Sequence, residues 1–196
     1  MTDRKTIMMN FIFNIGTDIA RQVYECVKKG QLVLPASVLV CRAITESNFG
    51  TERMTKKANI LFKISSYISM CGDGYDKEHE ELISFDKIKP SSMPNLIQAY
   101  ETTHECIRDY IWYSSNSPKF ALILCMCEPL DMIKAISDMN NEPKITYYTA
   151  YHMYKKLRLD LFDKYVADLL KTDGRARFNY DFEEIYKTLN FKAAVV

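Results

Sequence analysis

Residues 43–64 read AITESNFGTERMTKKANILFKI, an apolar run that meets an acid, Glu46, then turns polar and closes on Asn59-Ile60-Leu61-Phe62. Read backward, the run continues into VLPASVLVCRAITES, with apolar residues at 34, 36, 38, 39, 40, 41, 43 and 44 and with Pro35 suited to a first helical turn. A helix that is apolar almost all round is central and buried. Read forward, Ser47, Asn48 and Gly50 end that helix and open the backbone beside Glu46. The helix dipole puts partial negative charge at this end. Apolar neighbours strip water from the carboxylate, and both effects oppose its ionisation. That is what a general acid working near neutral pH requires. The plain alternative is a solvated Glu at a frayed helix end.

Outward from this block, most of the chain carries a helical period. Ile12, Ile15, Ile19, Val23 and Cys26 define a helix over about 9–28 that stops at Gly30. The first sixteen residues imitate a leader only faintly, with two asparagines in the apolar run and no small-residue cleavage site. Residues 62–88 differ: FKISSYISM and EELISFDKI flank CGDGYDKE, which predicts a hairpin. After Pro90 the helical period resumes, with Leu96, Ile97, Tyr100, Ile107, Tyr110 and Ile111 on one face. EPLDMIKAISDM places Pro129 near a helix N-terminus. A further helix runs from about Thr149 through Met153, Tyr154, Leu157, Leu161, Tyr165 and Leu169 until TDGRAR breaks it, and Phe182, Ile185, Tyr186 and Leu189 mark a last short one. The expectation is one mainly α (α+β) domain over 1–196, helical with a small β-hairpin lobe.

The chain has 196 residues, 47% of them hydrophobic, which is enough for one well-filled core. Net charge is +1 with Lys and Arg spread among the acids, so neither nucleic acid nor an anionic membrane surface is expected as a partner. No segment approaches the roughly 20 apolar residues of a membrane span. Of the six cysteines, Cys26, Cys41, Cys106 and Cys125 sit in apolar helical patterns and read as small hydrophobes. There is no C-x-x-C, and no metal or cofactor is expected. A reduced site of synthesis fits, with disulfides left open by the even count.

The block at Ala43–Ile64 resembles the glucosaminidase family that cuts bacterial peptidoglycan, glycoside hydrolase family 73, which includes autolysins, flagellar-rod proteins and phage lysins. That family reads approximately A-x-x-E-S-x-x-G followed by N-x-L-F. Ala43, Glu46, Ser47 and Gly50 match, and Asn59, Leu61 and Phe62 follow at the same distance. The resemblance extends over about 9–165, with Phe85 at the Phe of an F-R-x-Y strand and YTAYHMY, containing Tyr148 and Tyr154, similar to a late Y-A-T-D-P-x-Y segment. Residues 166–196 form a C-terminal extension outside it. Lys63 follows Phe62 where Gly is common, Asp86 follows Phe85 where Arg is common, and the hairpin lacks the family's T-x-E. The transglycosylase and goose-type lysozyme fold also ends a buried helix on Glu-Ser, but no Gly-Leu-Met-Gln-type segment follows here.

The resemblance implies a lysozyme-like fold and hydrolysis of the β-1,4 bond after N-acetylglucosamine in peptidoglycan strands, with Glu46 protonating the leaving oxygen. It needs no cofactor. A second carboxylate or the substrate's own acetamido group then stabilises the oxocarbenium-like centre. Among Asp73, Asp76, Glu78 and Glu80 near the turn, Glu78 is the named second acid, against the reading of all four as solvated turn charges. Tyr148 matches a tyrosine near the acid, with packing as its alternative; Tyr147, Asn59 and Phe62 are candidate groove residues, the last two also readable as turn and core. Trp112 and Tyr113 read as a sugar platform or as packing. Without a leader, a phage or prophage lysin made in the cytoplasm and acting at the cell wall is the expected setting. Competing readings are a non-catalytic glycan-binding or structural descendant and a helical interaction domain unrelated to sugars. Oligomeric state is not set by the sequence.

Overall fold

The computed structural model describes residues 4–64, 73–84 and 96–179. Among them it is mainly helical with a small antiparallel sheet. The helices are α1 (Arg4–Lys28), α2 (Ala36–Ser47), α3 (Arg53–Ala58), α4 (Thr103–Asn116), α5 (Ala121–Leu124), α6 (Pro129–Met139), α7 (Lys144–Lys156) and α8 (Asp160–Lys171). The strands are β1 (Gly74–Asp76), β2 (Glu81–Ile83) and β3 (Leu96–Gln98). No helix of the described residues is long and apolar enough to cross a membrane.

α2 is the axis of the molecule. α1, α6, α7 and α8 all pack on it. Every apolar position named above, from Leu34 to Ile44, is buried. A helix so enclosed cannot satisfy its first N–H groups with water. Its N-cap is Pro35, which supplies no side-chain hydrogen bond. α8 supplies the cap instead: Asp163 Oδ1 accepts the Ser37 N–H at 2.9 Å, and Ser37 Oγ donates to Oδ2. Burial nevertheless dominates and raises the Asp163 carboxyl above the ordinary carboxylate range.

α1 and α8 approach closely because Gly16 has no side chain. A methyl group there would lie 2.3 Å from Phe162 Cζ. The sheet has the order β2-β1-β3, with Tyr75 opposite both Leu82 and Ile97. Tyr75, Ile97 and Ala99 bury themselves against Ala58 and Ile60, forming a second small core.

Four expectations change here. The hairpin exists, but its first described strand is Gly74–Asp76, inside the segment read as the turn. Leu96–Gln98 is a buried strand and not the start of a helix; a short apolar run does not separate the two by period alone. The helix read from Thr149 is two, α7 and α8, because Arg158 turns left-handed (φ 51°) and lets both Leu157 and Leu159 bury. Cys125 is exposed beyond the end of α5, whereas Cys41 and Cys106 are buried. The last predicted helix, at 182–189, and the segments 65–72 and 85–95 lie outside the described residues.

Two predictions follow from this packing. Gly16→Ala should cost about 1–3 kcal/mol by overpacking, although alanine is the better helix former; an Ala variant as stable as wild type in urea unfolding would refute the close α1–α8 contact. For Asp163, a carboxyl raised in the folded state retains its proton longer there than in the unfolded chain. Its contribution to stability therefore falls as pH rises from the ordinary carboxylate range through the folded value. Asp163→Asn should remove that fall in a pH series of melting temperatures.

Candidate functional site

The chain leaves α2 through three successive left-handed residues, Asn48 (φ 46°), Phe49 (φ 56°) and Gly50 (φ 73°). Ser47 makes this turn possible. Its fully buried hydroxyl donates to the Ala43 carbonyl at 2.6 Å and accepts the Gly50 N–H at 3.0 Å. α3 then ends on Asn59, also left-handed (φ 52°), whose amide donates to the carbonyls of Tyr100 (3.1 Å) and Glu101 (2.8 Å). Phe62 is wholly buried and stacks on Tyr110 with ring centroids 4.1 Å apart.

Within this frame Glu46 faces an open cleft of about 490 Å³, walled by α2, α4 and the α6–α7 connection. Arg42, Lys63, Tyr110, Tyr113, Glu142 and Thr146 share the cleft with it. One Glu46 oxygen accepts from Arg42 Nη2, a helical turn earlier, and the other accepts the Lys63 N–H at 2.8 Å. Arg42 Nη1 donates to Glu142 Oε1 at 2.7 Å. Side-chain exposure is 6% for Arg42, 12% for Glu46 and 19% for Glu142, so the three form a nearly dry charge cluster. Glu142 is further held by Ser137 Oγ (3.1 Å) and Asn140 Nδ2 (3.3 Å). Arg42 Nε is buried without a hydrogen-bond partner among the described residues. Burial, and then the Glu46 carboxylate, push the Tyr110 phenol up, so it stays a neutral O–H beside the pair. Apolar neighbours were expected around Glu46; in the structure both of its oxygens are engaged by donors as well.

The other candidates are not gathered around Glu46. Tyr148 is 55% exposed on α7 and does not line the cleft; Tyr147, its ring 5.6 Å away, is half-buried against the main core. Neither lines the smaller apolar hollow of about 290 Å³, walled by Ile44, Phe49, Ile145 and Met153, that shares Thr45 and Thr146 with the cleft. Neither Asn59 nor Phe62 lines the cleft; Phe62 backs its wall through Tyr110, and Asn59 bonds the connection at 100–101. On the hairpin, Asp76 binds the N–H groups of Glu78 (2.8 Å) and His79 (3.3 Å) and the His79 ring (2.9 Å), which holds the Asp76 carboxyl low. Glu80 pairs with Arg53. Among the described residues the Glu78 carboxylate makes no hydrogen bond or ion pair, and it does not line the Glu46 cleft.

Sequence reasoning missed Arg42 and Glu142. Arg42 was legible as the i−4 cationic neighbour of Glu46. Glu142 lies 100 residues further along and gave no local signal. Among the described residues no group of His, Cys, Asp and Glu is arranged to hold a metal ion. No family model, characterised protein or solved structure matches this chain.

Removing one partner from a buried ionic cluster strands the others. Arg42→Met should cost about 3–5 kcal/mol in chemical unfolding, and adding Glu142→Gln should restore part of it. Full additivity of the two losses would show that the guanidinium does not couple the carboxylates.

Proposed function

We propose that the chain is a peptidoglycan hydrolase, an endo-β-N-acetylglucosaminidase, with Glu46 as its general acid. The observation that carries this reading is a single one: Glu46 ends the buried helix α2 and opens into a cleft of about 490 Å³, walled by tyrosines and a second carboxylate. A sugar ring entering there meets the aromatic sides of Tyr110 and Tyr113 and, beside Glu46, the carboxylate of Glu142. For Glu46 to deliver a proton, its Arg42 contact must pass to Glu142, which already holds the other terminal nitrogen of the same guanidinium. Glu142 thus joins Glu78 as a candidate for the second acid. Substrate assistance by the acetamido group remains the route that needs neither.

A second reading has its own observation. Both Glu46 oxygens are bound by groups that only donate, as in a structural anchor. This favours a glycan-binding descendant without hydrolysis.

Digestion of purified peptidoglycan by wild type and Glu46→Gln, with mass analysis of the reduced products, separates them. The hydrolase reading expects new reducing-end N-acetylglucosamine and a loss of about 10²–10⁴-fold in Glu46→Gln, the usual worth of a positioned acid. Reducing-end muramic acid or anhydro ends would make it a muramidase or lytic transglycosylase. No release from several wall types, with Glu46→Gln mainly destabilised, would leave the anchor.

A further inference from the structure

α4 has two working faces. Tyr110 and Tyr113 turn to the Glu46 cleft, whereas Ile111, Trp112 and Ser115 turn to a separate groove of about 670 Å³ between α4 and α1. Cys26 and Ile111 line the groove with apolar surface, and the exposed Leu32 and Trp112 add more. Trp112, the protein's one tryptophan, is 59% exposed and stands with the exposed Leu32 in the groove wall.

The polar lining says what kind of ligand would. Asp18 and His104 satisfy each other at 2.9 Å, and Gln22 bonds the His104 carbonyl at 3.1 Å. Arg21, Lys29 and Arg108 line the same groove and make no side-chain hydrogen bond or ion pair among the described residues, and neither does the Glu25 carboxylate. Three cations, Arg21, Lys29 and Arg108, therefore face two carboxylates, Asp18 and Glu25, around an exposed indole. An indole face takes the C–H side of a sugar ring, and guanidinium forks take carboxylates.

We propose that this groove is a second binding site, for an anionic glycan strand whose sugar stacks on Trp112 and whose carboxylates meet Arg21 and Arg108. The proposal rests on the peptidoglycan reading above, since the muramic acid of that polymer carries a lactyl carboxylate wherever its stem peptide has been removed. Its place on the other side of α4 lets the protein hold a strand outside the cleft.

Because Trp112 is the sole tryptophan, its fluorescence reports this groove directly. Peptide-free peptidoglycan strands titrated into the Glu46→Gln protein should give a saturable change, weakened tenfold or more in Arg21→Gln/Arg108→Gln and by added salt. No change, or one that survives the double substitution undiminished, overturns the site. So does equally tight binding of neutral chitotetraose, or a response to single-stranded oligothymidine with none to the strands. Wall digestion measured in parallel keeps the two proposals apart. Digestion with silent fluorescence removes this site alone; a charge-dependent fluorescence response without digestion by wild type removes the hydrolase and leaves the site.

Discussion

Arg42 carries a positive charge into the most enclosed helix of the protein, and much of the surrounding structure answers that charge. Taking a guanidinium out of water costs several kcal/mol unless it is paired. The pairing comes from two directions: Glu46 one turn along the same helix, and Glu142 from the α6–α7 connection. The second bond has a geometric consequence. It pins the connection against α2, helped by the left-handed Asn141 and by the Glu142 N–H bound to the Ser137 carbonyl at 3.0 Å. That pinned connection is one wall of the cleft. The cleft therefore exists partly because Arg42 is buried.

The same reasoning governs both ends of α2. An exposed helix leaves its terminal N–H and C=O groups to water, but an enclosed one needs partners from the protein. At the N-terminus the partner is Asp163 on α8, an anion where the helix dipole favours one. At the C-terminus, Asn48 N–H and Phe49 N–H both turn back to the Ile44 carbonyl, and Ser47 bonds forward to Gly50. Helices remote in sequence are thus tied to α2 by polar contacts as well as by apolar packing.

What the sequence made legible follows from which forces are local. The all-round apolarity of α2, the proline starts of α2 and α6, and the break after α8 depend on neighbours within a few residues, and all were readable. β3 was not, because a three-residue strand, Leu-Ile-Gln, has no period long enough to exclude a helix. The α7–α8 corner was not, because Leu157 stays in helical step with Leu161 and only tertiary burial of Leu159 selects the turn. At the site, Glu46 was legible from its place at a helix end. Its Arg42 partner was readable one turn back along α2, but Glu142 was not, since it is brought to that arginine from the other half of the chain.

The spacing between Glu46 and Phe62 also has a physical origin. The segment leaves α2 at Glu46 and returns to it at Lys63, whose N–H binds the Glu46 carboxylate. Closing that loop requires a reversal at each end. Ser47 and Gly50 make the first, where any side chain at Gly50 would meet both positive φ and the Phe11 ring 3.0 Å away. Asn59 makes the second and fastens it to the strand-to-helix connection at 100–101. Leu61 and Phe62 then bury completely, and Phe62 sets Tyr110 in the cleft wall. Each of these residues has a structural reason to stand at its position, independent of any chemistry. Only the carboxylate of Glu46 goes beyond what closing the loop demands, since an amide there could also accept from Lys63. Its charge is answered by Arg42, and so the chemistry of the site turns on whether that guanidinium can be moved.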